Sequence, residues 1–291
     1  MRSSIEGWKN RLLSRHAPKV TNWIVARSAD RARQRLLATG AVSVLIDNTT
    51  LHHAITHETA WIPAGSKPWG PHSIDTGYMA RVPVHSRSSD ALVYRNVCYL
   101  AGIAHLARQG LVKLHTSAEL LDEQFRQSVG RFIGYGLFDL NLFGGLEIKS
   151  IDGHVFSRRD PYSQNQQSHA EQQRARLKSR ESDPTYAAML DHLGRKKNTQ
   201  DAWHLLTAER HAMFCFLTMD FKFRENIRAQ IKSSPLNSFR TIVLTPEEFG
   251  RTFSLRPIPP RLLSFNGDRV PVRSDLAMPA GKRRPRNGYW R

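Results

Sequence analysis

Four short apolar runs, rich in β-branched and aromatic residues, constrain this chain more than any other feature. They occupy residues 41–46, 111–115, 213–218 and 241–244. Each is long enough for a strand and too short for a stable helix, and an apolar run of that length reads as a strand buried on both faces. Helix-length segments lie between them. Ser89 or Asp90 can cap a helix that Gly110 would end, and Thr116 or Ser117 can cap another beginning at Ala118. Further helices are expected near 184–193 and 199–211, and Pro246 favours a last short one at its first turn. Strands alternating with helices predict an α/β fold with a central, mainly parallel sheet and helices on both faces.

The remaining segments are less patterned. Residues 8–37 favour helix, with Pro18 expected to break it in two or begin its second half. Residues 58–87 are rich in Pro, Gly, Ser and Trp without a clear period, and read as a long loop. Residues 130–150 give no assignment, and the polar stretch 157–183 is either a solvated helix or an insertion. The resulting organisation is a basic helical arm over 1–40, an α/β domain over 41–255 with an insertion at about 130–198, and a basic, proline-rich tail over 256–291.

Charge narrows the partners. Lys and Arg number 43 against 25 Asp and Glu, a formal net charge of +18. An excess of that size points to a polyanion, nucleic acid before an anionic membrane. The first residues carry no apolar run of the secretory kind, and no stretch reaches the length of a membrane helix. Cys98 and Cys215 sit among apolar neighbours and read as buried thiols, so the cytoplasm is the expected location.

Ligands in a parallel sheet gather at the carboxyl ends of its strands, and acidic residues fall there. Asp47 ends the first apolar run, Glu119 opens the helix after the second, and Asp220 follows the third by two residues. Asp201 opens the helix that leads into the third. Carboxylates brought to one edge raise one another's pKa unless a cation neutralises them, and hard ions such as Mg²⁺ or Mn²⁺ favour such oxygens. The chemistry that follows is metal-assisted hydrolysis of a phosphodiester.

These residues also resemble a family. Val44-Leu45-Ile46-Asp47-Asn48-Thr49 is similar to the opening strand and first site aspartate of PIN-domain nucleases, and Leu114-His115-Thr116-Ser117-Ala118-Glu119-Leu120 to their second strand and site glutamate. Asp201 through Arg210, continuing to Phe216-Leu217-Thr218-Met219-Asp220, resembles the family's aspartate-led helix, strand and second acidic residue. Ile242 to Phe249 resembles its last strand and helix. The resemblance covers about 41–129 and 199–250, and implies a three-layer α/β/α domain. It implies an endonuclease for single-stranded nucleic acid, RNA ahead of DNA, with Mg²⁺ or Mn²⁺ held by Asp47, Glu119, Asp201 and Asp220. It leaves open a protein inhibitor or a homodimer as a further partner. The chain departs from compact members in the long stretch between Asp47 and Glu119 and in the insertion before Asp201. The alternative reading is the same fold kept as an inactive nucleic-acid-binding or protein-interaction module.

Each residue also has a structural reading. Asp47 can serve as a cap, Glu119 and Asp201 as first-turn charges, and Asp122 and Glu123 are substitutes for Glu119 that lie further from the strand end. Asn48, Thr218 and His204 are candidates for contact with nucleic acid, as are Arg27, Arg31, Arg283 and Arg284. Trp8, Trp23, Trp61, Trp69, Tyr289 and Trp290 could stack on bases, although Trp23 fits a helical core better. His52, His53 and His57 lack the third ligand and companion glutamate a zinc site requires.

Overall fold

The computed structural model describes residues 2–136, 139–152, 168–193 and 199–263. Helix α1 (Arg2–Thr39) leads into β1 (Val42–Ile46), and a short α2 (Asn48–His53) precedes strands β2 (Ile55–Trp69) and β3 (His72–Pro83). Then come α3 (Ala91–Arg108), β4 (Val112–Thr116), α4 (Ala118–Phe125) and α5 (Gly130–Ile133), followed by the short strands β5 (Leu140–Asn141) and β6 (Lys149–Ser150). Helices α6 (His169–Glu181), α7 (Pro184–Leu193) and α8 (Thr199–Arg210) lead to β7 (Cys215–Leu217), α9 (Phe221–Gln230), β8 (Ile242–Leu244) and α10 (Pro246–Phe253). A 3-10 turn, Pro260–Leu263, closes the described chain.

All four expected strands lie side by side in one sheet, ordered β6-β4-β1-β7-β8, with every pairing parallel. Strand alternation sorts their side chains. Val44, Ile46, Cys215 and Leu217 face one core, which α1, α3 and α10 cover. Leu45 and Phe216 face the other, which is filled by α4, α7, α8 and α9. The sheet therefore sits between two helical layers. Asp90 and Ser117 cap α3 and α4 through their side chains. Gly40 (φ 96°) and Gly110 (φ 72°) follow the ends of α1 and α3 in the left-handed region that glycine enters at no steric cost.

Three expectations are corrected. Residues 58–87 are mostly not a loop: β2 and β3 form a long antiparallel hairpin around Gly70 and Pro71, with a bulge between Pro63 and Gly65. Past His57, among the described residues, β2 pairs with β3 alone, which leaves the open edge where a sheet tolerates proline. Helix α1 runs through Pro18, since an interior proline removes one hydrogen bond and strains a helix without having to end it. Its second half joins the main core through Ala29, Ala32 and Leu36. Trp23 is 64% exposed, outside the helical core it was expected to join. The basic residues past Leu263, Arg283 and Arg284 among them, lie outside the described residues. Among the described residues no helix is long and apolar enough to cross a membrane.

Candidate functional site

Strand order reverses about β1. The crossover after β1 carries the chain to β4 on one side, and the crossover after β7 carries it to β8 on the other. A crevice at the carboxyl ends of β1 and β7 is where such a sheet accepts a ligand. Asp47 follows Ile46 directly, so alternation turns it toward the layer that holds α4, α8 and α9.

Asp47 precedes α2 but does not cap it with its side chain. Its Oδ2 accepts instead from two hydroxyls, Thr218 Oγ1 at 2.6 Å and Thr49 Oγ1. Each hydroxyl is itself aimed by the backbone: Met219 N donates to Thr49 Oγ1 at 3.1 Å, and Asp220 N to Thr218 Oγ1 at 2.9 Å. Burial pushes the Asp47 carboxyl up despite these donors and the charge of His204. Asp220 caps α9 by accepting from Phe223 N at 2.9 Å.

The glutamate that faces this cluster is Glu123, not Glu119. The two lie one turn apart on the same face of α4, yet they go to different partners. Glu119 is gripped by Arg176 of α6, Nε to Oε1 at 2.9 Å and Nη2 to Oε2 at 3.1 Å. Arg176 also reaches Asp152, just past β6, at 2.9 Å. Glu123 accepts from Asn48 Nδ2 at 2.8 Å and stands 2.9 Å from His204 Nε2. Burial would raise its pKa, but His204, Asn48 and Arg126 together hold it below the ordinary value.

His204 is only 1% exposed. Burial opposes its protonation, but Glu123, Asp47 and Asp201 outweigh that and raise its pKa. Its Nδ1 is buried with no hydrogen-bond partner among the described residues. No described residue donates a hydrogen bond to the Asp201 carboxylate. Burial, with Asp47, Asp220 and Glu123 adding to it and His204 opposing, pushes Asp201 up to about 6.

The acids along this edge thus divide. Glu119 and Asp152 share Arg176 at one end, and Glu248, beyond β8, is held by both arms of Arg224 at the other. Between them, among the described residues, no lysine or arginine pairs with Asp47, Asp201 or Asp220, and the basic group among them is His204, whose pKa they raise. The donor chemistry of Asp47, Glu123, Asp201 and Asp220 suits a hard divalent ion. As the side chains lie, no three metal-ligating groups among the described residues are gathered closely enough to hold one. Asp47 accepts its hydroxyl donors on Oδ2, and Glu123 is turned onto Asn48 and His204.

Asn48, Thr218 and His204 are buried, and none is presented outward for nucleic acid. The Asn48 amide is used inward, toward Leu120 O at 2.8 Å, Glu123, and Gln124 Nε2 at 2.7 Å. All three act through the carboxylates. Arg27 and Arg31 are exposed on α1. The His53 ring lies 5.2 Å from that of His52 and 5.4 Å from that of His85, tilted against both, while His57 is buried and its pKa is lowered to about 3. Thr49, expected with Asn48 to line the site through the turn after Asp47, does reach the Asp47 carboxylate, and the parts that sequence reasoning missed are Asp152, Arg176 and the choice of Glu123 over Glu119. The legible signal for Glu123 was the four-residue spacing, which puts both glutamates on one face.

Set against protein-family models, curated proteins and solved structures, the chain matches none.

Proposed function

We propose that this chain is a PIN-like, metal-dependent endonuclease that hydrolyses single-stranded nucleic acid, RNA ahead of DNA. The observation that carries the reading is the division of the edge. Outer carboxylates are neutralised by Arg176 and Arg224, whereas Asp47, Glu123, Asp201 and Asp220 face one another at the switch point of the sheet with one buried imidazole among them. Mutual repulsion in a buried cluster costs stability, and such a cluster is retained where charge is used.

Mg²⁺ or Mn²⁺ bound there would activate water and offset charge building on the phosphodiester. The protein's part is positioning. Thr49 and Thr218 fix Asp47 by one oxygen and leave the other for a ligand. Asn48 and His204 fix Glu123, which completes the set or orients the attacking water. The net charge of +18 draws a polyanion toward an acidic pit in a basic surface.

A second reading keeps the fold as a binding module without cleavage, and the placement of His204 favours it. A protonated imidazole beside Glu123, Asp47 and Asp201 supplies the counter-charge from within. Cleavage of labelled single-stranded RNA and DNA with Mg²⁺, with Mn²⁺ and with EDTA separates the two. Metal-dependent cutting that is lost in Asp201→Asn supports the nuclease. Binding without cutting under every condition leaves the binding module.

A further inference from the structure

We infer that the cleft between α1 and the segment after α10 is a binding site for one nucleotide of a single strand, distinct from the carboxylate cluster. This inference rests on the nucleic-acid reading above but not on cleavage. The cleft encloses about 230 Å³ and is lined by Trp23, Arg27, Ser28, Arg256, Pro257 and Leu262 among others. That is below the volume of a site for a drug-sized ligand and suits a single planar ring.

Three features select the occupant. Trp23 is 64% exposed on a helix whose buried face already joins the core, and no described aromatic or cationic group covers its ring. An exposed indole beside an open cleft is a stacking platform, and every base presents a π-face to it. Two guanidinium groups border the same cleft. The Arg256 guanidinium is exposed and has no partner among the described residues, and Arg27 there pairs only with Asp30 at 2.9 Å, a surface contact that a phosphate can replace at little cost. The cleft walls are also held in place. Arg256 N donates to Ser28 O at 3.1 Å, Ile258 N to Cys98 O at 2.7 Å, and Thr21 Oγ1 to Leu262 O at 3.1 Å. An exposed aromatic ring and two guanidinium groups on one cleft, with its backbone fixed, match a base and its phosphates.

Helix α1 ends at Thr39, just before β1, and packs against α3 and α10. The cleft therefore lies on the face of the sheet opposite the layer that carries Asp201 and Glu123.

The test is the affinity of fluorescein-labelled oligo(U) and oligo(dT) in EDTA, by anisotropy across a salt series. The proteins are wild type, Trp23→Ala, Trp23→Phe and Arg256→Ser. Trp23→Ala is expected to weaken binding about tenfold with little change in salt dependence, and Trp23→Phe to recover most of it. Arg256→Ser is expected to lower the slope of log affinity against log salt by about one. Binding by Trp23→Ala equal to wild type overturns the inference, as does a Trp23→Phe variant no better than alanine. Because EDTA removes cleavage, Trp23-dependent binding by a protein that never cuts leaves the cleft standing while the nuclease reading falls. Cutting by a protein indifferent to Trp23 does the reverse.

Discussion

The Thr218 hydroxyl donates to the Asp47 carboxylate at 2.6 Å, joining the carboxyl ends of β1 and β7 across 171 residues of sequence. The same oxygen of Asp47 takes a second hydroxyl, from Thr49. A buried carboxylate with two aimed donors on one oxygen is fixed in orientation before any ligand arrives.

Replacing Thr218 by Val removes that donor and leaves Asp220 N without its acceptor. A hydrogen bond to a charged group is worth about 2 kcal/mol, so Thr218→Val is expected to lose about that much in urea denaturation. Thr218→Ser should lose far less. Equal stability of the Val and Ser variants would show that the hydroxyl is idle.

Glu119 and Glu123 should separate cleanly. Glu119→Gln weakens a grip on α6 that Arg176 still keeps through Asp152, so we expect a loss of about 1–3 kcal/mol in stability with cleavage retained. Glu123→Gln should reduce cleavage at least about a hundredfold while the fold persists. Titration of single-turnover cleavage beside thermal melts reads both effects, and the opposite pattern would return the site to Glu119.

Asp201 carries a pH dependence. Its carboxyl goes from an ordinary 3.8 to about 6 on folding, so the folded state holds the proton more tightly. The stability it contributes is complete below about 4 and is lost as pH rises through 6. At pH 7.5, without divalent ions, Asp201→Asn is expected to be more stable than wild type, by up to about 3 kcal/mol. Mg²⁺ should raise the wild-type melting temperature and move the variant less. A variant less stable than wild type at pH 7.5 would mean that the cluster is not repulsive.

His57 behaves in the opposite sense. Burial, with the charge of Arg81 adding to it, lowers its pKa from 6.5 to about 3, and its Nδ1 stands 3.0 Å from Thr56 Oγ1. Its contribution is present above 6.5 and is lost as pH falls toward 3, at about 1.4 kcal/mol per pH unit. Between pH 7 and 5 this group should cost wild type about 2 kcal/mol, and His57→Gln should flatten that part of the profile. Urea midpoints at both pH values decide it.

Much of this architecture is legible in the chain alone. The apolar runs ending at Ile46, His115, Thr218 and Leu244 are strands because continuous apolar stretches of that length can be buried only in a covered sheet. Asp47, Asp201 and Asp220 fall at its edge because strand and helix lengths put them there. Local chemistry also set the caps at Asp90 and Ser117 and the turns at Gly40 and Gly110. Tertiary structure decided the rest, since the deciding partners are far away in sequence. The hairpin of β2 and β3 exists through pairing that its prolines and glycines conceal. Trp23 is exposed because Ala29, Ala32 and Leu36 take the buried face of α1. Glu119 and Glu123 lie four residues apart on one face of α4. Only Arg176, from a helix inside the insertion, and His204, from the layer beneath, determine which is neutralised and which faces Asp47.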